Sequence, residues 1–246
     1  MKKVESGKYS EQLKIVYPDN IIENTTGLLS KEHTHYVVNV MRLKRGSNLN
    51  FFNKEGEWLS EIIFIERDKV EVKFLNKIKE PLKISNIELA ICLVKKTPME
   101  IILQKATELG VSKIVPIISD RTEVKDLNFD RANKIVVEAI EQSNQLNPPE
   151  ISQIIKLKDF INDISSETKL FFADINSKHT LNSKDLVKEK KISVLIGPEG
   201  DFSPAERELI LSKPETVPFS LSENILRADT AVISAISLVN FIHNNH

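Results

Sequence analysis

Three stretches of the sequence combine residue types and spacings that could carry chemistry. The first is Gly197-Pro198-Glu199-Gly200, directly after the apolar run Ser193–Ile196 and shortly before Ser203-Pro204-Ala205-Glu206. The chain has only seven glycines, so a pair this close is informative. A glycine lets backbone approach a ligand closely or take a positive φ, and ligands in open α/β sheets bind outside the carboxyl ends of strands. An ordinary strand-to-helix turn has the same appearance, and Glu199 could equally be a solvated turn carboxylate. The second stretch is Leu221–Ala231 (LSENILRADTA). Asp229 is placed to cap the last helix, with Thr230 in support. Ile225 and Leu226 are expected to pin the loop to the core, and Arg227 follows them. The third is Lys95-Lys96-Thr97-Pro98-Met99-Glu100, also at a strand end. Its cations could meet phosphates; a solvated helix start is the simpler reading.

The glycine count also excludes. No G-x-G-x-x-G follows a strand and no G-x-x-x-x-G-K-[ST] exists, which disfavours a Rossmann dinucleotide site and a P-loop. A Rossmann-type methyltransferase would also need a glycine-rich loop after its first strand, and there is none.

The elements that must position these stretches are readable from hydrophobic periodicity. In the first third, Val70, Val72 and Phe74 alternate with Glu71 and Lys73, the pattern of a half-buried strand. Leu49–Phe52 and Trp58–Ile65 are further strands, joined by the turn Asn53-Lys54-Glu55-Gly56. A short helix over Ser30–Met41 precedes them, capped by Ser30. The polar stretch Asn76–Asn86, with Pro81, reads as a domain boundary. This predicts one domain over 1–78 and another over 83–246.

From Ile87 onward strands alternate with helices. Ile87–Val94 is a continuous apolar run, as in a strand buried on both faces. Met99–Leu109 follows as an amphipathic helix ended by Gly110. Ile114–Ile118, Leu170–Ala173, Ser193–Ile196 and Val217–Phe219 are strands, and Phe129–Gln142 is a helix. Ser203 as N-cap, Pro204 at N1 and Glu206 at N3 form a capping box. The last helix is expected from about Thr230 to His243. The alternation predicts an α/β domain with a parallel sheet.

Composition sets the class. The chain has 246 residues, 41% apolar and 28% charged, enough for a sizeable core without disulfides. Its 34 basic and 35 acidic residues give a formal net charge of −1. That excludes a globally basic nucleic-acid coat but not a local basic patch. Cys92, the single cysteine, lies in an apolar run and reads as a small buried hydrophobe. A reducing, cytoplasmic setting fits. Met1-Lys2-Lys3-Val4-Glu5 lacks the apolar stretch of a secretory signal. Ala231–Ile242 is too short and too interrupted to span a bilayer, so no membrane partner is expected. The five histidines show no metal-site spacing, and no metal is predicted.

Four stretches in order carry a family likeness: KKTPMEIILQKATELGVSKIVPIISDRTEV (95–124), EAIEQSNQLNPPEI (138–151), LIGPEGDFSPAE (195–206) and LSENILRADTA (221–231). Their order resembles the ribosomal RNA small subunit methyltransferase E family. His35 and Val40-Met41-Arg42-Leu43-Lys44-Arg45-Gly46 extend the likeness into the first domain. The resemblance implies an N-terminal PUA-like RNA-binding β-barrel and a C-terminal SPOUT domain with a trefoil knot, a rare exception to the rule against threaded chains. It also implies a homodimer that binds S-adenosyl-L-methionine between knot loops and methylates N3 of one uridine in 16S rRNA, in free RNA or the assembled small subunit.

On that resemblance Leu195, Ile196, Gly197, Gly200, Leu221, Ile225 and Leu226 hold the cofactor. Arg227 orients the base and stabilises developing charge, with Asp229 or Glu199 as the proton acceptor. Arg42, Lys44, Arg45, Lys95 and Lys96 are the candidate RNA contacts. The chain departs from the family pattern in three places. Asp201 stands where a third glycine is usual, Asp229 where Glu is usual, and Gln145 where Arg is expected. Two other readings compete: a SPOUT enzyme for a different RNA site, and a non-catalytic RNA-binding or ribosome-assembly module.

Overall fold

A computed structural model describes residues 14–53, 55–67, 69–80, 86–143, 145, 147–186 and 191–244. The N-terminal segment read for a signal, Lys54 of the predicted turn, and Pro81 with positions 82–85 of the predicted boundary lie outside the described residues. The chain divides into two compact units after Leu82.

In the first unit, five strands form one curled sheet in the order β1-β3-β4-β5-β2, with β1 and β2 as its edges. These are β1 (Lys14–Val16), β2 (Thr26–Leu28), β3 (Asn48–Asn53), β4 (Gly56–Glu66) and β5 (Lys69–Lys79). Alternation places Phe51, Trp58, Ile62, Val70, Val72 and Phe74 in one core. Tyr17, Phe51 and Phe74 meet edge-on, with centroids 5.1–5.6 Å apart. The predicted helix is split. Ser30 Oγ accepts from His33 N and caps α1 (Lys31–His35), and the chain then widens into a π turn over Tyr36–Val40.

One expectation needs correction here. Asn76–Lys79, read as the start of a linker, is the end of β5. Polar residues hold a strand there because β4 supplies the partners: Trp58 pairs with Lys77, whose ammonium lies 5.0 Å over the Trp58 ring.

The second unit is built on a sheet in the order β12-β10-β11-β6-β7-β8, with β9 also on β7; every pairing is parallel. Its strands are β6 (Ile87–Cys92), β7 (Lys113–Ile118), β8 (Glu150–Ile151), β9 (Ile155–Lys156), β10 (Thr168–Ala173), β11 (Lys191–Ile196) and β12 (Thr216–Phe219). The helices are α2 (Lys96–Glu108), α3 (Phe129–Ser143), α4 (Leu157–Asp163), α5 (Pro204–Leu211) and α6 (Ala228–Asn244). β8, β9 and α4 carry too few residues to show a period and were not anticipated.

Strict alternation divides the core into two layers. Ile87, Leu89 and Ile91 of β6, with Ile192, Val194 and Ile196 of β11, pack against α2, α3 and α6. Ala90, Cys92 and Leu195 face the other way, toward α4 and α5. Both faces being covered is why these strands read as unbroken apolar runs. Among the described residues no helix is long and apolar enough to cross a membrane.

Cys92 has no exposed surface. Burial pushes its thiol up to about 12, outweighing hydrogen bonds with Ser119 and Thr122. It should stay unreactive to a disulfide-exchange reagent at about pH 8 and react once denaturant opens the core. Prompt labelling of the folded protein would contradict this burial.

Candidate active site

A parallel sheet delivers the C-terminal ends of its strands to one edge. The loops after β7, β10, β11 and β12 therefore emerge together, and they contain the glycine pair and the Arg227 stretch.

β11 stops at Ile196, and the chain turns on itself as Asp201 N donates to the Pro198 carbonyl at 2.9 Å. The left-handed residue of this turn is Asp201, with φ +58°, rather than Gly197 or Gly200. Aspartate is among the side chains that tolerate this region, and its Oδ1 accepts from Phe202 N at 2.8 Å. Space is tight at Gly197: a Cβ there would stand 3.0 Å from the Phe202 ring, which would have to give by a few tenths of an ångström. That ring packs edge-on against Phe172, anchoring the loop to the core. The side chains of Leu195 and Ile196 are buried on opposite faces of the sheet, so only their backbone is available to a ligand.

Two polar clamps fix the first turn of α5, and with it the glycine loop. In one, the predicted capping box forms: Ser203 Oγ accepts from Glu206 N, and Glu206 Oε2 accepts from Ser203 N. Glu206 Oε1 also accepts from Asp120 N, while Ser203 Oγ donates to Asp120 Oδ2, both at 2.8 Å. Beside them Arg121 Nη1 donates to the Gly200 carbonyl at 2.9 Å. In the other clamp, Arg207 donates through Nη2 (2.7 Å) and Nε (3.1 Å) to Asp174 Oδ2 at the exit of β10. Asp174 is buried, which by itself raises its carboxyl. Hydrogen bonds from Arg207 and Asn176 outweigh this and hold it below the usual carboxylate range.

The loop after β12 is tied to the loop after β10: Ser220 N donates to the His179 carbonyl and Ser177 Oγ to the Pro218 carbonyl. Leu221 and Leu226 are half-buried, and Leu221 packs on the core. Ile225 does not pin the loop as expected; it is 84% exposed. Its neighbour Leu226 is half-buried, and Ile225 stands on the solvent side. Among the described residues the N–H groups of Ile225 and Leu226 have no hydrogen-bond partner.

α6 begins at Ala228, two residues before the expected start. The Arg227 carbonyl accepts the first helical bond, from Ala231 N. Arg227 thus holds the cap position, and Asp229 lies inside the first turn, corrected from its expected cap role. There its carboxylate suits the positive end of the helix. Asp229 Oδ1 accepts from Thr230 N at 2.8 Å and lies 3.9 Å from Arg227 Nε. The Arg227 side chain is 79% exposed and that of Asp229 15%. Glu199 is exposed, with no partner among the described residues.

Residues 80–240 match the RNA methyltransferase domain family, and residues 29–75 the RNA methyltransferase PUA domain. A Rickettsia conorii protein named ribosomal RNA small subunit methyltransferase E is 34% identical over 87% of this chain and 89% of its own length. The chain belongs to the ribosomal RNA small subunit methyltransferase E family. A Neisseria gonorrhoeae structure of that name, bound to S-adenosyl methionine, is 26% identical. It superposes with TM-score 0.85 over 94% of this chain and 98% of the other. A Legionella pneumophila protein solved with bound cofactor SAM is 28% identical, with TM-score 0.81 over 94% and 98% of the two chains.

Within this family framework the remaining candidates can be placed. Lys95 is the N-cap of α2, which starts three residues before its predicted Met99, and its ammonium lies 3.8 Å from Glu123. Lys96 opens the helix, exposed. Gln145 donates to the Glu108 carbonyl at 3.5 Å. In the first unit Arg42, Lys44 and Arg45 are exposed after the π turn, and Arg42 takes φ +54°.

Sequence reasoning missed Arg121, Asp174 and Arg207. Asp174 follows directly on an apolar strand, the one signal that marked it; its partner Arg207 is distant in sequence. The Asp174–Arg207 pair yields a prediction. Asp174→Asn should lower stability by about 2 kcal/mol, less than for a fully buried pair because Arg207 is partly exposed. The depressed carboxyl contributes its stability above the unfolded value of about 4 and loses it as pH falls through the folded value. Urea denaturation across that range should show the two proteins converging in acid. A constant gap would rule out the charged pair as the cause.

Proposed function

We propose that the chain transfers a methyl group from S-adenosyl-L-methionine to N3 of a uridine in small-subunit ribosomal RNA. The observation that carries the reading is the Arg227–Asp229 pair at the start of α6, beside an open apolar loop and on the same sheet edge as the glycine turn. Family membership and the SAM-bound relatives support the cofactor. The residues also fit it. Ile225 offers uncovered apolar surface, and the unpaired N–H groups of Ile225 and Leu226 are available to acceptors on an adenine. Gly197, Gly200 and Leu221, with the backbone of Leu195 and Ile196, complete the cradle.

When bound, the cofactor supplies an electrophilic methyl group on a sulfonium. The protein's task is positioning and control of one proton. Uracil N3 carries a proton and is a poor nucleophile until it leaves. In this reading the exposed Arg227 guanidinium sits against the uracil and stabilises the anion that forms. Asp229, held by Thr230 N and close to Arg227, is the better-positioned proton acceptor; Glu199 is the second candidate.

The reading brings with it a trefoil knot in the second unit, and the out-of-sequence strand order β12-β10-β11-β6 is compatible with that. It also brings RNA contacts at Arg42, Lys44, Arg45, Lys95 and Lys96, a cytoplasmic setting, and a homodimer. For the dimer, the small side chains Ala231, Ser234 and Ala235 on α6 would permit close approach of a second helix, but Ala235 is buried in the chain's own core. Phe241, 69% exposed near the end of α6, is surface that a second copy would cover.

The test has two arms. Arg227→Ala should lower turnover about a hundredfold while calorimetric affinity for S-adenosyl-L-methionine stays within about twofold. Equal losses in both would remove the role. Mass spectrometry of ribosomal RNA from a strain lacking the gene should show the loss of one 3-methyluridine. Intact methylation there, or no cofactor binding by the purified protein, would overturn the function.

A further inference from the structure

A second feature adjoins the glycine turn. Between the end of β7, the start of α4 and the first turns of α5 lies an open cleft of ≈ 530 Å³, within the range of ligand clefts. Five of its lining residues are charged: Asp120, Glu206, Lys125, Lys156 and Lys158. The carboxylates are engaged internally. Glu206 accepts from two backbone N–H groups and Asp120 from the Ser203 hydroxyl. The lysines are not: all three are exposed, and among the described residues none has a carboxylate partner. The cleft thus presents three exposed cations over a floor whose acids are already hydrogen-bonded. Asp120 and Glu206 are the same groups that clamp Ser203, so the cleft shares a wall with the proposed methyl-donor loop. Arg121, next to Asp120, spends one N–H on the Gly200 carbonyl, and its remaining donors have no partner among the described residues.

We propose that this cleft carries the phosphodiester backbone of the substrate RNA beside the target nucleotide, held by Lys125, Lys156 and Lys158, with Arg121 between the cleft and the glycine turn. The inference rests on the methyltransferase reading above. Exposed lysines with no fixed carboxylate partner act as point charges on flexible stems, which suits phosphates more than a particular base edge, so the ligand is the backbone and the effect is positioning. The cleft explains how a chain of net charge −1 can grip a polyanion: the charge is placed rather than abundant.

The experiment uses the full chain and an unmethylated small-subunit ribosomal RNA transcript. The variant K125A/K156A/K158A is compared with the wild type and with K125R/K156R/K158R. For the alanine variant the slope of log Kd against log salt should fall by about 2, from about 0.7 per phosphate contact on a single strand. The RNA KM should rise roughly tenfold while kcat at saturation holds. Cofactor affinity and melting temperature should not change, and the arginine variant should behave as wild type. An unchanged salt slope and KM would overturn the proposal. So would a loss of cofactor affinity in the alanine variant, which would make the lysines props of the loop. A wild-type protein that binds RNA but transfers no methyl group would sink the methyltransferase reading alone, since the salt slope still decides the cleft.

Discussion

The candidate site depends on how the first turn of α5 is held. Seven residues separate the end of β11 from that helix, and they contain the glycine turn. A loop this short takes its shape from its ends. One end is a strand inside a parallel sheet. The other is fixed by Ser203, Glu206 and Asp120 on one side and by Arg207 and Asp174 on the other. Two chain segments far apart in sequence, at Asp120 and Asp174, are joined by charge-assisted hydrogen bonds to one helical turn. Such bonds are stronger than neutral ones, and they fix direction as well as distance. A turn anchored this way can keep a binding wall in place before any ligand arrives, the condition for preorganisation.

Much of this architecture was legible in sequence, for identifiable reasons. Strands covered on both faces keep apolar residues at every position, so Ile87–Val94 announced itself. The capping box at Ser203 is local chemistry and formed as read. What failed was information that sequence neighbours do not hold. Ile225 and Leu226 look alike in a string, but the loop leaves the first exposed and the second half-buried. The last four residues of β5 look like linker because their partners lie on β4. The two-residue strands β8 and β9 owe their existence to β7 alone. Asp174 is an ordinary aspartate until α5 brings Arg207 to it.

The two units solve the burial problem differently. The sheet of the second unit is sandwiched between helices, so its strands alternate between two cores. The curled sheet of the first unit wraps a single core, with three aromatic rings at its centre. β5 accordingly alternates over Val70–Phe74, while β3 is buried on both faces from Leu49 to Phe52. Helix α1 gives way to a π turn before the exposed basic stretch that includes Arg42. Wide turns of this type are often found at functional positions.

The left-handed turn at Asp201 has an electrostatic consequence. The position selects a backbone dihedral, and two kinds of residue can meet it. Glycine does so by lacking a Cβ; aspartate does so with a carboxylate that caps the next amide. The second solution brings a negative charge that the first lacks, and Arg207 feels that charge. A chain with aspartate here therefore surrounds its strand-end loops with a more negative potential than a glycine-bearing relative of the same shape. For a ligand that carries a sulfonium, that potential is attractive; for a polyanion approaching the same edge it is repulsive. Identical backbones can in this way present different fields to the two molecules that must meet between them.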